Sequence, residues 1–162
     1  MCFKVLRYNN LKFSNQQSAI SKTQSGILLI NLGTPDTPHT REVRIFLREL
    51  LSCKRVLDIN PVWRWLLVNF VILPFRSRKS AKAYRKIWLE DGSPLLVYSQ
   101  KLKNALGEQL SEEKIPVELG MQCGRPSLKT AIAKLRGQNC DQIIVLPLYP
   151  QYASSSYGAA IE

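Results

Sequence analysis

Residues 26–35 read Gly26-Ile27-Leu28-Leu29-Ile30-Asn31-Leu32-Gly33-Thr34-Pro35. A short, nearly continuous apolar run closed by Gly-Thr-Pro predicts a strand buried on both faces, as in a parallel sheet. Two later stretches are further strand candidates: Pro116–Cys123, running into Gly124-Arg125-Pro126, and the apolar Asp141–Tyr149, running into Pro150. Between the first two, helical spacing takes over. From Thr40, read as an N-cap, Val43, Phe46, Leu47, Leu50 and Leu51 recur at i, i+3, i+4, i+7, i+8, with Arg41, Arg44 and Arg48 on the wetter side. A basic helix follows over about 80–89. Ser93-Pro94 opens another, Ser93 capping and Pro94 in the first turn, its face carrying Leu95, Tyr98, Leu102, Ala105 and Leu106. Ser127–Arg136 makes one more.

The order strand, helices, strand, helix, strand predicts an α/β fold with a parallel sheet and right-handed crossovers. Ligands bind beyond the carboxyl ends of the strands in such open sheets. Here those ends are Leu32-Gly33-Thr34, Cys123-Gly124-Arg125 and Tyr149-Pro150-Gln151-Tyr152. A cleft there is the natural site.

At 162 residues the chain is expected to form one domain, and 45 % hydrophobic with 22 % charged residues excludes wholesale disorder. The formal net charge of +11 is unevenly placed: residues 41–86 hold twelve basic residues against three acids. That segment suits nucleic acid, anionic lipid or an acidic small molecule, and composition does not choose among them. The four cysteines show no C-x-x-C spacing, so free thiols are expected rather than a zinc ribbon or a disulfide framework. Residues 1–25 contain no acid and no apolar core of a secretory signal, and read as a flexible N-terminal extension before a folded domain spanning 26–162.

Inside the basic segment, residues 62–73 are a hydrophobic patch too short to span a bilayer and interrupted by Arg64 and Asn69. Trp63 and Trp65 sit near one end; Arg76, Arg78 and Lys79 lie just past the other. An in-plane membrane contact, an apolar cleft wall and an ordinary buried helix all fit.

Self-contained catalysis finds little support. No Gly-x-Gly-x-x-Gly, Walker-type loop or Gly-x-Ser-x-Gly elbow is present, and the sole histidine, His39, lies in a Pro-rich loop, as a solvent-exposed residue would. No His/Cys/Asp/Glu cluster has metal-ligand spacing. The residues alone point to a binding half-site.

Residues 146–158, Leu-Pro-Leu-Tyr-Pro-Gln-Tyr-Ala-Ser-Ser-Ser-Tyr-Gly, closely resemble the signature of ferrochelatases, the enzymes that insert ferrous iron into porphyrin. Gly26–Pro35, Leu73–Arg78 leading to Tyr84, and Gly92-Ser93-Pro94-Leu95 follow in the family's order, so the resemblance covers about residues 26–162. It implies the first of two similar Rossmann-like domains around a porphyrin cleft. It places Leu32, Arg76, Tyr84, Ser93, Gln151 and Tyr152 at porphyrin-contacting positions. Porphyrin propionates are carboxylates, which an arginine fork pairs bidentately and hydroxyls support.

The resemblance also makes residues 50–75 the lip of the cleft. Within it, Trp63 and Leu66 are spaced to pack inward, and residues 62–75 are expected to touch a membrane peripherally, in an otherwise cytoplasmic protein. The family's Ser-x-His-Gly histidine and its acidic partner belong to the second half and do not occur here, so no catalytic or metal-binding residue is assigned. In members with an iron–sulfur cluster one cysteine follows Pro-Gln-Tyr; Ala153-Ser154-Ser155-Ser156 offers no thiolate, and no cofactor is expected beyond ferrous iron and porphyrin as substrates.

The expected function is ferrochelatase-type iron insertion in heme biosynthesis, with this chain supplying the porphyrin-binding half, completed by a separate C-terminal half. A catalytically inactive porphyrin-binding fragment is the alternative. A basic nucleic-acid-binding module is a remote third reading, with no RNP, helix-turn-helix or zinc motif behind it, and nucleic acid is not an expected partner.

Overall fold

The computed structural model describes the backbone of residues 4–7 and residues 24–149. Its elements are β1 (Lys4–Arg7), β2 (Ser25–Thr34), α1 (Thr40–Ser52), α2 (Pro61–Leu66), a π-helical segment (Leu67–Ile72), α3 (Leu73–Ile87), α4 (Pro94–Gln109), β3 (Val117–Gly124), α5 (Leu128–Gly137) and β4 (Gln142–Pro147). The sheet order is β1-β4-β2-β3. β2 lies between β3 and β4 and runs parallel to both, so the Gly26–Leu32 run is the sheet's central parallel strand. Its apolar run has the physical reason expected: one face of the sheet meets α5, the other α4. Leu28, Ile30 and Val145 pack with Ala131 and Leu135, while Leu29, Val117, Leu119 and Met121 pack with Leu96, Leu106 and Leu110. A third cluster joins α1 to the π segment and α3 through Val43, Phe46, Leu47, Val68, Leu73 and Ala81, and reaches Cys123 at the end of β3.

Four local expectations need correction. Residues 4–7, expected within a flexible extension, form a strand antiparallel to β4, Lys4 opposite Val145 and Arg7 opposite Gln142. An edge strand needs only backbone bonds on one side, so its side chains carry little signal.

In the lip, Trp63 is 69 % exposed and Leu66 36 %, whereas Val68 and Leu73 are buried. The cause is the π segment: Leu73 N–H donates to Val68 O, five residues back, and the extra residue in the turn rephases the helix. Val68, Leu73, Ser77 and Ala81 thereby become the inward face.

On α4 the inward stripe is Leu96, Ser99, Lys103, Leu106 and Leu110, not Leu95, Tyr98 and Leu102, which are exposed. Two polar members hide that stripe from apolar counting, and both find partners on the sheet. Asn31 Nδ2 donates to Ser99 Oγ at 3.0 Å, and Lys103 Nζ donates to Glu118 Oε2 at 3.0 Å.

The helix starts differ as well. His39, not Thr40, occupies the N-cap position of α1. Ser93 holds the N-cap position of α4 in an extended conformation but makes no side-chain cap bond. Ser127 does cap, its Oγ accepting from Thr130 N at 3.2 Å.

Candidate functional site

The carboxyl ends of the three parallel strands come together, as an open α/β sheet requires. β2 and β3 close on each other there, Gly33 opposite Cys123 and Thr34 opposite Gly124. Both glycines have positive φ, 106° and 83°. A Cβ on Gly33 would lie 1.7 Å from the Cys123 carbonyl oxygen, so this approach is available only to glycine.

By register Leu32 lies between Gln122 of β3 and Tyr149, two residues past the end of β4. Tyr149 Oη donates to Gln122 Oε1 at 2.9 Å and so bridges the sheet at the level of Leu32. Leu32 itself is half-buried, and its N–H donates to Asn31 Oδ1 at 2.9 Å. On the other side of the strand ends, Glu49 of α1 accepts from Gly124 N–H at 3.0 Å. A small hollow between them is walled by Thr34, Phe46 and Glu49.

Phe46 links that hollow to the helical lip. It meets the Tyr84 ring edge-on, centroids 6.4 Å apart, and Tyr84 in turn meets Trp88 at 6.1 Å. Burial pushes the Tyr84 phenol above its ordinary value. The paired backbone bonds of Leu89 and Gly92 then return the chain to Ser93, which is 3 % exposed. Arg76 lies two turns before Tyr84 on α3; it is exposed and has no acidic partner among the described residues. Leu32, Arg76, Tyr84 and Ser93 share no hydrogen bond or ring contact with one another: one sits at a strand end, two on α3 and one at the start of α4. Gln151 and Tyr152 lie outside the described residues.

The lip itself is exposed. Phe75 is 79 % exposed and Phe70 64 %, and Trp65 meets Phe70 at 5.6 Å between centroids. No helix among the described residues is long and apolar enough to cross a membrane. Cys53, Cys123 and Cys140 are free thiols, and among the described residues no three His, Cys, Asp or Glu side chains are grouped to hold a metal ion.

A ferrochelatase family model matches residues 24–162. The chain belongs to the ferrochelatase family. It is 51 % identical over 137 residues to the ferrochelatase of Coxiella burnetii (strain Dugway 5J108-111), covering 85 % of this chain and 38 % of that one. It is 50 % identical over 141 residues to that of Marinomonas sp. (strain MWYL1) and 50 % over 137 residues to that of Legionella pneumophila (strain Paris). Those matches again cover 85 % of this chain, and 42 % and 40 % of the relatives. The chain thus spans about two fifths of the length of the relatives it matches, and its sheet with flanking helices is the Rossmann-like arrangement expected of a chelatase domain.

Sequence reasoning placed Tyr149 at a strand end but missed its partner Gln122, and it missed Glu49 on Gly124 and the Asn31–Ser99 bond between β2 and α4. One signal was available: Asn31 is the only amide in an otherwise apolar buried strand, and such a group must find a partner.

The strand ends also carry a pH signature. Burial first, then Glu49 and Cys53, push the Cys123 thiol from 9.0 up to about 12. Burial and the neighbouring Cys123 push the Tyr149 phenol from 10.0 up to about 12. Both groups stay protonated in the fold at a pH where the unfolded chain ionises them. Their contribution is therefore complete below about pH 9 and is lost as pH rises toward about 12. Denaturant midpoints measured across that window should fall, and Cys123→Ala should flatten the fall. A midpoint that does not move would contradict the burial of these groups.

Proposed function

We propose that this chain supplies the porphyrin-binding half of a ferrochelatase, which inserts ferrous iron into a porphyrin in heme biosynthesis. The family match over residues 24–162 carries the reading. In the reaction two pyrrole N–H protons leave as iron enters, giving heme and two protons. The residues of this chain bind and orient the macrocycle. Leu32 packs against its face, held at that height by the Tyr149–Gln122 bridge. Arg76 pairs with a propionate, and the hydroxyls of Tyr84 and Ser93 support the polar edge. Gln151 and Tyr152 complete the set through the motif they belong to.

Two physical features support this assignment. Arg76 presents a guanidinium with no acidic partner among the described residues, beside exposed aromatic surface, which matches a ligand with an apolar body and carboxylate arms. The strand ends meet the Phe46–Tyr84–Trp88 ring series, which offers a rigid apolar wall. The exposed lip, with Trp63, Trp65, Phe70 and Phe75 and the cations Arg76, Arg78 and Lys79 beyond, suits transfer of a poorly soluble macrocycle at an anionic membrane surface.

Iron handling and proton acceptance fall to groups outside residues 1–162. The sequence has no Ser-x-His-Gly segment, and His39 is exposed at the start of α1. An anaerobic assay with ferrous iron and a dicarboxylic porphyrin, followed by heme absorbance, tests the division of labour. The chain alone should form no heme above the protein-free rate. Turnover by the chain alone would overturn the half-site reading.

A further inference from the structure

A larger hollow adjoins the small one at the strand ends, sharing Thr34, Asp36 and Gly124 with it. It encloses about 600 Å³ between the Thr34–Asp36 loop, Leu96 of α4 and the turn from Gly124 to Thr130. Arg125 lines it, exposed and at the end of β3. The start of α5 opens onto it through Ser127 and Thr130. Ser127 Oγ already serves Thr130 N–H, and the two hydroxyls lie 2.8 Å apart, which leaves the first-turn N–H groups of Leu128 and Lys129 without intrahelical partners.

An independent observation concerns Thr34, which lines both this hollow and the smaller one beside Phe46 and Glu49. Thr34 is 3 % exposed, and its hydroxyl is the one buried side-chain polar atom without a hydrogen-bond partner among the described residues. Buried hydroxyls are ordinarily paired, and one left unpaired at the wall of a cleft points to a partner that arrives with a ligand.

We propose that this cleft is an oxyanion pocket that holds a carboxylate of the bound ligand. Its donors are the Arg125 guanidinium, the first N–H groups of α5 and the Thr34 hydroxyl. A helix N-terminus and an arginine fork both favour a planar two-oxygen anion. Asp36, exposed on the same loop, selects by charge: it opposes a dianion such as phosphate more strongly than a singly charged carboxylate. The inference rests on the porphyrin reading for the owner of the carboxylate, a second propionate beside the one assigned to Arg76.

The test uses the full chain. Fluorescence titrations compare a dicarboxylic porphyrin with its dimethyl ester, in the unmodified protein, Arg125→Gln and Thr34→Val. Amide signals of Thr34, Leu128 and Lys129 are followed in the unmodified protein, so the result does not depend on a variant folding. Arg125→Gln should weaken the diacid about tenfold and leave the ester unchanged, Thr34→Val should weaken it less, and the diacid alone should move the three amides. Equal effects of Arg125→Gln on both ligands, or unmoved amides under a diacid that binds, would overturn the pocket and leave the porphyrin reading standing.

If neither porphyrin binds, the porphyrin reading fails and acetate decides the pocket. Shifts of the same amides that disappear in Arg125→Gln uphold it, and their absence overturns it. Inorganic phosphate moving those amides at lower concentration than acetate would overturn the carboxylate assignment.

Discussion

Gly33→Ala is expected to be among the most damaging single substitutions in the chain. Gly33 sits at φ 106°, and a Cβ there would lie 1.7 Å from the Cys123 carbonyl oxygen, 2.8 Å from its carbon and 3.2 Å from its nitrogen. Those atoms are backbone of the paired strand, so no side-chain rotation relieves the overlap. Either β2 and β3 separate at their carboxyl ends or the turn changes hand, and both break the Gly33–Cys123 and Thr34–Gly124 pairing. The expected loss exceeds about 4 kcal/mol, a large share of a stability of roughly 5–15 kcal/mol.

Gly107→Ala is the control. Gly107 lies in α4 with nothing within 4 Å of a new Cβ, and the change should stabilise by up to about 1 kcal/mol. Chemical denaturation of both variants gives the comparison. A Gly33→Ala midpoint close to the parent would show that the strand ends are not locked as described.

β2 was legible because burial on two faces leaves no alternative to an apolar run, whereas β3 was read through Glu118 and Gln122, which interrupt its buried Val117, Leu119, Met121 and Cys123. β2, β3 and β4 appear where Gly26–Leu32, Pro116–Cys123 and Asp141–Tyr149 place them, with ends shifted by one or two residues. Helix phase was less legible, for two separate reasons. A π turn adds a residue, so the spacing of Trp63 and Leu66 no longer reports the inward face. On α4 the inward stripe runs through Ser99 and Lys103, which look like surface residues until Asn31 and Glu118 are placed opposite them.

The site divides in the same way. Its location followed from topology, because crossovers force the carboxyl ends of parallel strands to one edge. Leu32 and Ser93 fell at a strand end and a helix start, as their local sequence implies. Arg76 and Tyr84 carry no local signature of binding, and only the family motif singles them out. The orphan hydroxyl of Thr34 and the cleft beside Arg125 depend on three-dimensional approach, which no spacing along the chain encodes.

Arg76→Ala is the second large effect, and it concerns binding rather than stability. Arg76 has no ion-pair partner among the described residues and is exposed, so its removal should leave the fold close to unchanged. A guanidinium paired with a propionate that the macrocycle shields from water contributes about 1.5–3 kcal/mol, a roughly ten- to 150-fold change in Kd. Arg76→Lys should recover only part of it, because an ammonium cannot make the two-pronged contact. Parent-like affinity in Arg76→Ala, with the dimethyl ester as reference ligand, would remove Arg76 from the site.

The central proposal is that this chain of the ferrochelatase family binds porphyrin at the carboxyl edge of its sheet. The direct measurement is a titration of a dicarboxylic porphyrin into the unmodified chain, read by its visible absorbance band and by quenching of the lip tryptophans. The predicted result is a saturable, one-to-one change that strengthens as salt is lowered. A change that never saturates, or none at all while the chain remains folded, would contradict it.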